Sequence, residues 1–142
     1  MANIVAKAEI DIDAPPNEVW SALTDADTIT KYFFGAKVST DWRPGSRIIW
    51  SGEYNGKPFV DKGEIQDVEE GRLLRMTHFS PMSGLPDKPE SYHTLTYELD
   101  ERRSGTHVTL TQDNNGDQAE ADHATANWTA MLKGLKNAAE SR

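Results

Sequence analysis

The sequence predicts an α+β domain in which a curved antiparallel sheet wraps around one long C-terminal helix. Three observations carry this expectation. Ala124, Trp128, Met131, Leu132, Leu135, Ala138 and Ala139 recur with the 3.6-residue period of a helix that is apolar on one face. Nearly everything from Trp42 to Gln112 reads as short apolar-alternating runs broken by turn residues. The opening segment alternates too, and two short helical patterns follow it. A lone amphipathic helix after a run of hairpins can cover its apolar face only by docking on their sheet.

Ile4, Ala6, Ala8, Ile10 and Ile12 alternate with Val5, Lys7, Glu9, Asp11 and Asp13, the pattern of a half-buried strand. Ala14-Pro15-Pro16 ends it, and proline suits the first turn of the helix expected over Glu18–Leu23. Thr24 or Asp25 caps a second short helix reaching about Tyr32, and Phe33-Phe34-Gly35 break it. Strands are then expected over Lys37–Trp42, Arg47–Glu53, Phe59–Val68, Leu73–Phe79, Tyr92–Leu99 and Thr106–Gln112. Arg43-Pro44-Gly45-Ser46 fits a type II turn, and Tyr54-Asn55-Gly56-Lys57 fits a two-residue hairpin. Ser80–Ser91 is expected as a long loop, and Asp113–Asp117 as a breaker before the final helix. Burying Trp128, Met131, Leu132 and Leu135 contributes roughly 1.5–3 kcal/mol each. Together this is on the scale of the ~5–15 kcal/mol net stability of a domain, so the helix is expected to be core.

Composition narrows the class. The 142 residues fit one domain spanning 1–142, with no repeat or linker. Without cysteine, the chain has no disulfide, thiolate metal site or cysteine nucleophile. Fifteen basic against 23 acidic residues give a net charge of −8, which argues against nucleic acid or an anionic membrane as partner. The N-terminal run has no apolar stretch of signal-peptide type, and none approaches the ~20 apolar residues of a membrane span. A soluble, cytoplasmic protein is expected.

Several runs resemble a known family. They are Val19-Trp20 with Ala22-Leu23-Thr24-Asp25, Thr40-Asp41-Trp42-Arg43-Pro44-Gly45, Gly63-Glu64-Ile65 with Leu73-Leu74, and Asn127-Trp128-Thr129 through Leu132-Gly134-Leu135. With these the chain is similar to the START-like (SRPBCC) superfamily. Within it, the chain resembles the family named for the C-terminal domain of the activator of heat-shock protein 90 ATPase. Tyr32-Phe33 departs from the pattern, where relatives usually have tryptophan followed by an aromatic residue. The resemblance implies a helix-grip fold with an internal apolar cavity, in a superfamily that includes lipid carriers and polyketide cyclases. It does not imply chaperone activation, because the eukaryotic activators carry a separate N-terminal domain that these 142 residues lack.

Register arithmetic supplies candidate site residues. If the hairpin places His78 opposite His93, then Met76 meets Leu95 and Leu74 meets Tyr97, all on the apolar face. Across the next hairpin Leu95, Tyr97 and Leu99 meet Gln112, Leu110 and Val108. Two imidazoles, a phenol and a carboxamide then lie in an apolar concavity and need partners, either one another, water or a ligand. Trp50 and Phe59 would sit beside Gly52 and Gly63, whose missing side chains leave room, while Trp128 and Met131 would face them from the helix. The candidate ligand-binding set is thus Trp50, Phe59, Met76, His78, His93, Leu95, Tyr97, Gln112, Trp128 and Met131. Asp61 shares a face with Phe59 and is expected at a cavity mouth or bulged outward.

Two histidines without a third fixed ligand do not make a zinc site, so neither metal nor cofactor is expected. Ser80, Ser83 and Ser91 lie near the histidines without a nucleophile-elbow pattern. His107 and His123 read as surface residues. The leading reading is a non-enzymatic module that binds a small apolar or amphipathic molecule between sheet and helix, as monomer or homodimer. The alternatives are a cyclase- or hydrolase-like enzyme using the pocket histidines with Asp61 or Tyr97, and a co-chaperone-type domain with a chaperone partner.

Overall fold

A computed structural model describes residues 4–141, apart from residues 34 and 55 and the side chains of Tyr54 and Met82. Strand β1 (Ile4–Ile12) leads into helices α1 (Pro16–Thr24) and α2 (Ala26–Tyr32). Six strands follow: β2 (Lys37–Ser39), β3 (Arg47–Tyr54), β4 (Lys57–Glu69), β5 (Leu73–His78), β6 (His93–Arg102) and β7 (Gly105–Asn115). Helix α3 (Gln118–Glu140) closes the chain. All strand pairs are antiparallel in one sheet ordered β1-β7-β6-β5-β4-β3-β2.

The apolar periodicity of α3 is realised as burial. Ala121, Ala124, Trp128, Met131, Leu132, Leu135 and Ala139 are buried, and the helix lies chiefly on β1 with further contacts to α1, α2 and β7. Its start is fixed by a reciprocal cap. The Asp117 carboxylate accepts from Glu120 N at 2.8 Å, and the Glu120 carboxylate accepts from Gly116 N at 2.7 Å. Near its far end, Glu140 accepts from the backbone N–H of Asp13 at 2.8 Å, tying α3 to the end of β1.

The turns obey their residues. Gly45 has φ 88°, and Ser46 N–H donates to Arg43 O at 2.9 Å, the type II geometry expected of Pro44-Gly45. Tyr54 pairs with Lys57, as a two-residue hairpin requires, although Asn55 itself lies outside the described residues. Phe34, expected to help end α2, lies outside them as well. Asp25 is the N-cap residue of α2, with its carboxylate accepting from the Thr28 hydroxyl rather than from a backbone amide.

Four expectations need correction. The strand expected to reach Trp42 stops at Ser39, because Trp42 takes a left-handed φ of 59° that turns its ring toward the core. The breaker expected at Asp113 begins later. β7 runs on to Asn115, whose buried side chain donates to Ile4 O at 2.8 Å and Gln112 O at 2.9 Å. The loop 80–91 contains two single-turn 3-10 helices, Pro81–Ser83 and Pro89–Ser91. Finally, Gly52 and Gly63 leave no room. A Cβ on Gly63 would come within 1.8 Å of Thr77 O, and one on Gly52 within 3.3 Å of the Phe59 ring.

Gly63 marks the corner of the sheet. The 13-residue β4 pairs with β3 through its first half and with β5 through its second. A bridge between Lys62 and Phe79 carries it across the corner. Only glycine lets the β5 backbone approach this closely. The bulge in β4 lies further on, between Ile65 and Asp67.

Another close approach joins the helices. A Cβ on Gly134 would lie 2.5 Å from Tyr32 Cβ, so α2 crosses α3 at the one residue of that face without a side chain. Gly134→Ala is therefore expected to lower stability by about 1–3 kcal/mol through overpacking, despite alanine's ~1 kcal/mol advantage as a helix former. A denaturant midpoint that holds or rises would show that α2 gives way freely.

The β1–β7 pair carries a charged clasp on its outer face. His107 Nδ1 lies 2.7 Å from Asp11 Oδ1, and Nε2 lies 3.0 Å from Glu9 Oε1. Hydrogen bonds to Asp11 and then Glu9 raise the His107 pKa above 6.5, while the bond from His107 lowers that of Glu9 below 4.5. The histidine's stabilisation is therefore complete below its unfolded pKa and is lost as pH rises through the raised folded value. The glutamate's is present above its unfolded pKa and is lost as pH falls through the lowered folded value. The melting-temperature gap between wild type and His107→Ala should be wider at about pH 6 than at about pH 9. Equal gaps would mean that the clasp contributes no charge-dependent stability.

Candidate functional site

The hairpin registers place the inner-face residues as the alternation requires. His78 faces His93, Met76 faces Leu95 and Leu74 faces Tyr97. Leu95, Tyr97 and Leu99 in turn face Gln112, Leu110 and Val108. What these residues do on that face divides into three regions.

The first region is solid. Leu95 and Met131 are 1% exposed, and the inner side chains of α3 and the sheet pack together in one buried cluster. Trp128 Nε1 donates to Gln112 Oε1 at 2.8 Å, and Gln112 Nε2 donates to Asn115 Oδ1 at 2.8 Å. Indole and carboxamide thus satisfy each other and link α3 to β7.

The second region is a gap, and it lies under α1 and α2 rather than under α3. Leu23, Ile29, Tyr32 and Phe33 line it from the helical side, with Val38 and Trp42 at its rim. Ile48, Trp50, Leu74, Met76 and Tyr97 line it from the sheet. Its volume is about 20 Å³, room for little more than one water molecule. Trp50, Met76 and Tyr97 are the members of the expected set that reach it. Burial alone pushes the Tyr97 phenol far up in pKa, so the hydroxyl is a neutral polar group in an apolar wall. The Tyr32 phenol is also raised, first by burial and then by the nearby Tyr97 and Asp25. Its hydroxyl donates to Ala22 O at 3.0 Å, tying α2 to α1.

The third region is polar and begins where the gap ends. Asp61 faces inward beside Trp50, its cross-strand partner, and its Oδ2 lies 2.9 Å from His78 Nε2. The His78 ring meets Trp50 edge-on, with centroids 5.0 Å apart, and stacks on His93 at 6.5 Å. His93 is held differently. Its Nδ1–H donates to Asp113 O at 2.8 Å, and its Nε2 lies 3.6 Å from Glu120 Oε1. Phe59 stands beside this end of the sheet, half-buried and packed on Gly52.

A carboxylate only accepts, so His78 must donate from Nε2, and its Nδ1 is directed elsewhere. Among the described residues, Asp61 Oδ1 and His78 Nδ1 are the buried side-chain polar atoms without a hydrogen-bond partner. No group of three or more His, Asp or Glu residues suited to a metal ion occurs among the described residues. His123 is exposed on α3, whereas His107 is held in the outer-face clasp.

Sequence reasoning located the register of this face but missed two of its features. It assigned the chamber to α3, so Leu23, Ile29, Tyr32, Phe33, Val38 and Trp42 went unnoticed. The aromatic pair Tyr32-Phe33 at the end of a short helix was the available signal. It also left Asp61 without a partner, because the Asp61–His78 bond depends on the fold of β4 at Gly63. No spacing rule along the chain records that corner.

With this geometry in view, comparison with known proteins gives a family. Residues 13–140 match the pattern of the activator of Hsp90 ATPase homolog 1-like proteins. The chain is 43% identical to ChR145 from Cytophaga hutchinsonii, covering 97% of this chain and 94% of that one with a TM-score of 0.83. It is similar to the Aha1 dimer from Colwellia psychrerythraea at 22% identity, covering 97% of this chain and 96% of that one with a TM-score of 0.74. DynU16, from the dynemicin biosynthetic locus, is 19% identical, with 94% of this chain and 46% of that one covered and a TM-score of 0.77. The last two likenesses show the fold alone, and the fold is the helix-grip one. Among curated proteins none is significantly similar to the chain. The match over nearly its whole length, together with the Cytophaga relative, shows that this chain belongs to the activator of Hsp90 ATPase homolog 1-like family.

Proposed function

We propose that this domain binds a small apolar or amphipathic molecule between the α1–α2 pair and the concave face of the sheet, without transforming it. The observation that carries this reading is the gap itself. Aromatic and aliphatic walls meet there without interlocking, and one phenol, Tyr97, stands among them as a polar handle. At about 20 Å³ the gap is closed to anything larger than water, so binding requires α2 and the segment after it to swing outward. The seven-residue α2 is small enough to move as a unit; it packs on β2, α3 and α1, buries Ile29, and is tied to α1 by the Tyr32 hydroxyl. The partner is thus a small molecule rather than nucleic acid or membrane. No described helix is long and apolar enough to cross a membrane, and the proposed location is the cytoplasm.

An enzymatic reading is favoured by one observation. A carboxylate that holds one nitrogen of an imidazole leaves the other available as a base, and Asp61 holds His78 in this way. Catalysis would also need a substrate positioned on that nitrogen.

The binding reading is tested with the apolar fluorophore N-phenyl-1-naphthylamine. It should bind the folded protein and quench or shift the emission of Trp42 and Trp50, which line the gap. Val38→Trp, at the rim, should weaken binding at least about tenfold, or ~1.4 kcal/mol. Its stability cost should not exceed ~1–3 kcal/mol. Met131→Trp should instead destabilise the solid core more severely, since the added ring has no space there. If no apolar probe binds the wild-type fold, the binding reading falls and a co-chaperone-type domain with a protein partner takes its place.

A further inference from the structure

The unpartnered atoms beyond Trp50 suggest what kind of molecule would fit. Asp61 and His78 are each only 16% exposed in their side chains, and the atoms Asp61 Oδ1 and His78 Nδ1 are buried without partners. Native proteins rarely leave such groups unmatched, because each costs its full desolvation. Two of them on one hydrogen-bonded pair mark a place where something else completes the arrangement.

The chemistry of that missing group follows from the atoms. Asp61 Oδ1, as a carboxylate oxygen, can only accept a hydrogen bond, and with His78 Nε2–H committed to Asp61, an uncharged His78 ring would offer a second acceptor at Nδ1. A group that fits must therefore donate. An anionic head is disfavoured by the Asp61 carboxylate. The nearby Lys62 is turned to the outer face and paired with Asp87. An ether or ester oxygen offers no donor at all.

Asp61 and His78 do not themselves line the gap but adjoin residues that do. Trp50 lines the gap and stands edge-on against His78. Met76, also lining it, precedes His78 by two residues on the same face, a distance of about 7 Å along the strand. A chain lying against Met76 and Trp50 would bring its end to the histidine.

We propose that Asp61 and His78 form the recognition site for the head of an amphipathic molecule, and that the head is a hydrogen-bond donor, an alcohol or a primary amine. This rests on the binding reading above and narrows it to a class.

The test compares 1-octanol, octylamine, octanoate and methyl heptyl ether by tryptophan emission. The alcohol and amine should each bind at least about tenfold more tightly than the ether, as expected where a buried site built for a donor meets a group that lacks one. Octanoate should bind no better than the ether. In Asp61→Asn and in His78→Phe the preference should disappear while affinity for the ether persists. A readout in the wild-type protein makes the result independent of how those variants fold. The ¹⁵N signal of His78 Nδ1 should move on adding 1-octanol and stay still on adding the ether. Equal affinities for all four probes, or a still Nδ1 signal with 1-octanol bound, would overturn this proposal and leave the binding reading standing. Failure of every probe to bind would overturn both.

Discussion

The burial of one face of α3 against β1 and β7 is the constraint on which the rest of the molecule depends. β1 is first in sequence and β7 last among the strands, so the helix packs across the seam where the chain's two ends meet. Its side chains exclude water from the concave face, and the Trp128–Gln112 bond fixes its position along the strands. With α3 in place, α1 and α2 have one remaining surface to cover, and α2 is drawn against the helix at Gly134. The gap is what remains beneath these short helices once the long helix has been satisfied.

This division of labour separates stability from recognition. Under α3 the core interlocks and its polar groups are matched, which is the condition of a rigid scaffold. Under α2 the walls only touch, and beyond Trp50 two polar atoms have no match. Sites that must open are drawn from the parts of a fold with the fewest fixed contacts. The seven-residue α2, which is the shortest of the three described α-helices and packs on the three-residue edge strand β2, fits that description.

Most of the fold was legible in the sequence because its signals are local or periodic. The α3 pattern, the alternation of β1, the Pro44-Gly45 turn and the hairpin registers all follow from short-range rules. Even the meeting of His78 with His93 and of Leu95 with Gln112 needed only counting outward from a turn. The end of β2 was not legible, because Trp42 takes a left-handed backbone that aromatic residues seldom adopt. The end of β7 was hidden as well, since a run rich in Asn and Asp reads as a breaker. There, Asn115 instead turns its amide back on the strand beside it. The site was the least legible part. Both its closure by α2 and the Asp61–His78 bond depend on how distant elements pack, and the glycines that seemed to open space were admitting backbone and ring instead.

The central claim is that molecules enter beneath α2 rather than bind elsewhere on the surface, and it can be tested by direct contact. In protein labelled at its Ile, Val, Leu and Met methyl groups, intermolecular NOEs from the tail of bound 1-octanol should reach Ile29, Val38 and Met76, which line the gap. NOEs confined to the exposed apolar residues Val5, Val60 and Leu85 would contradict the account, since they would place the probe outside the fold.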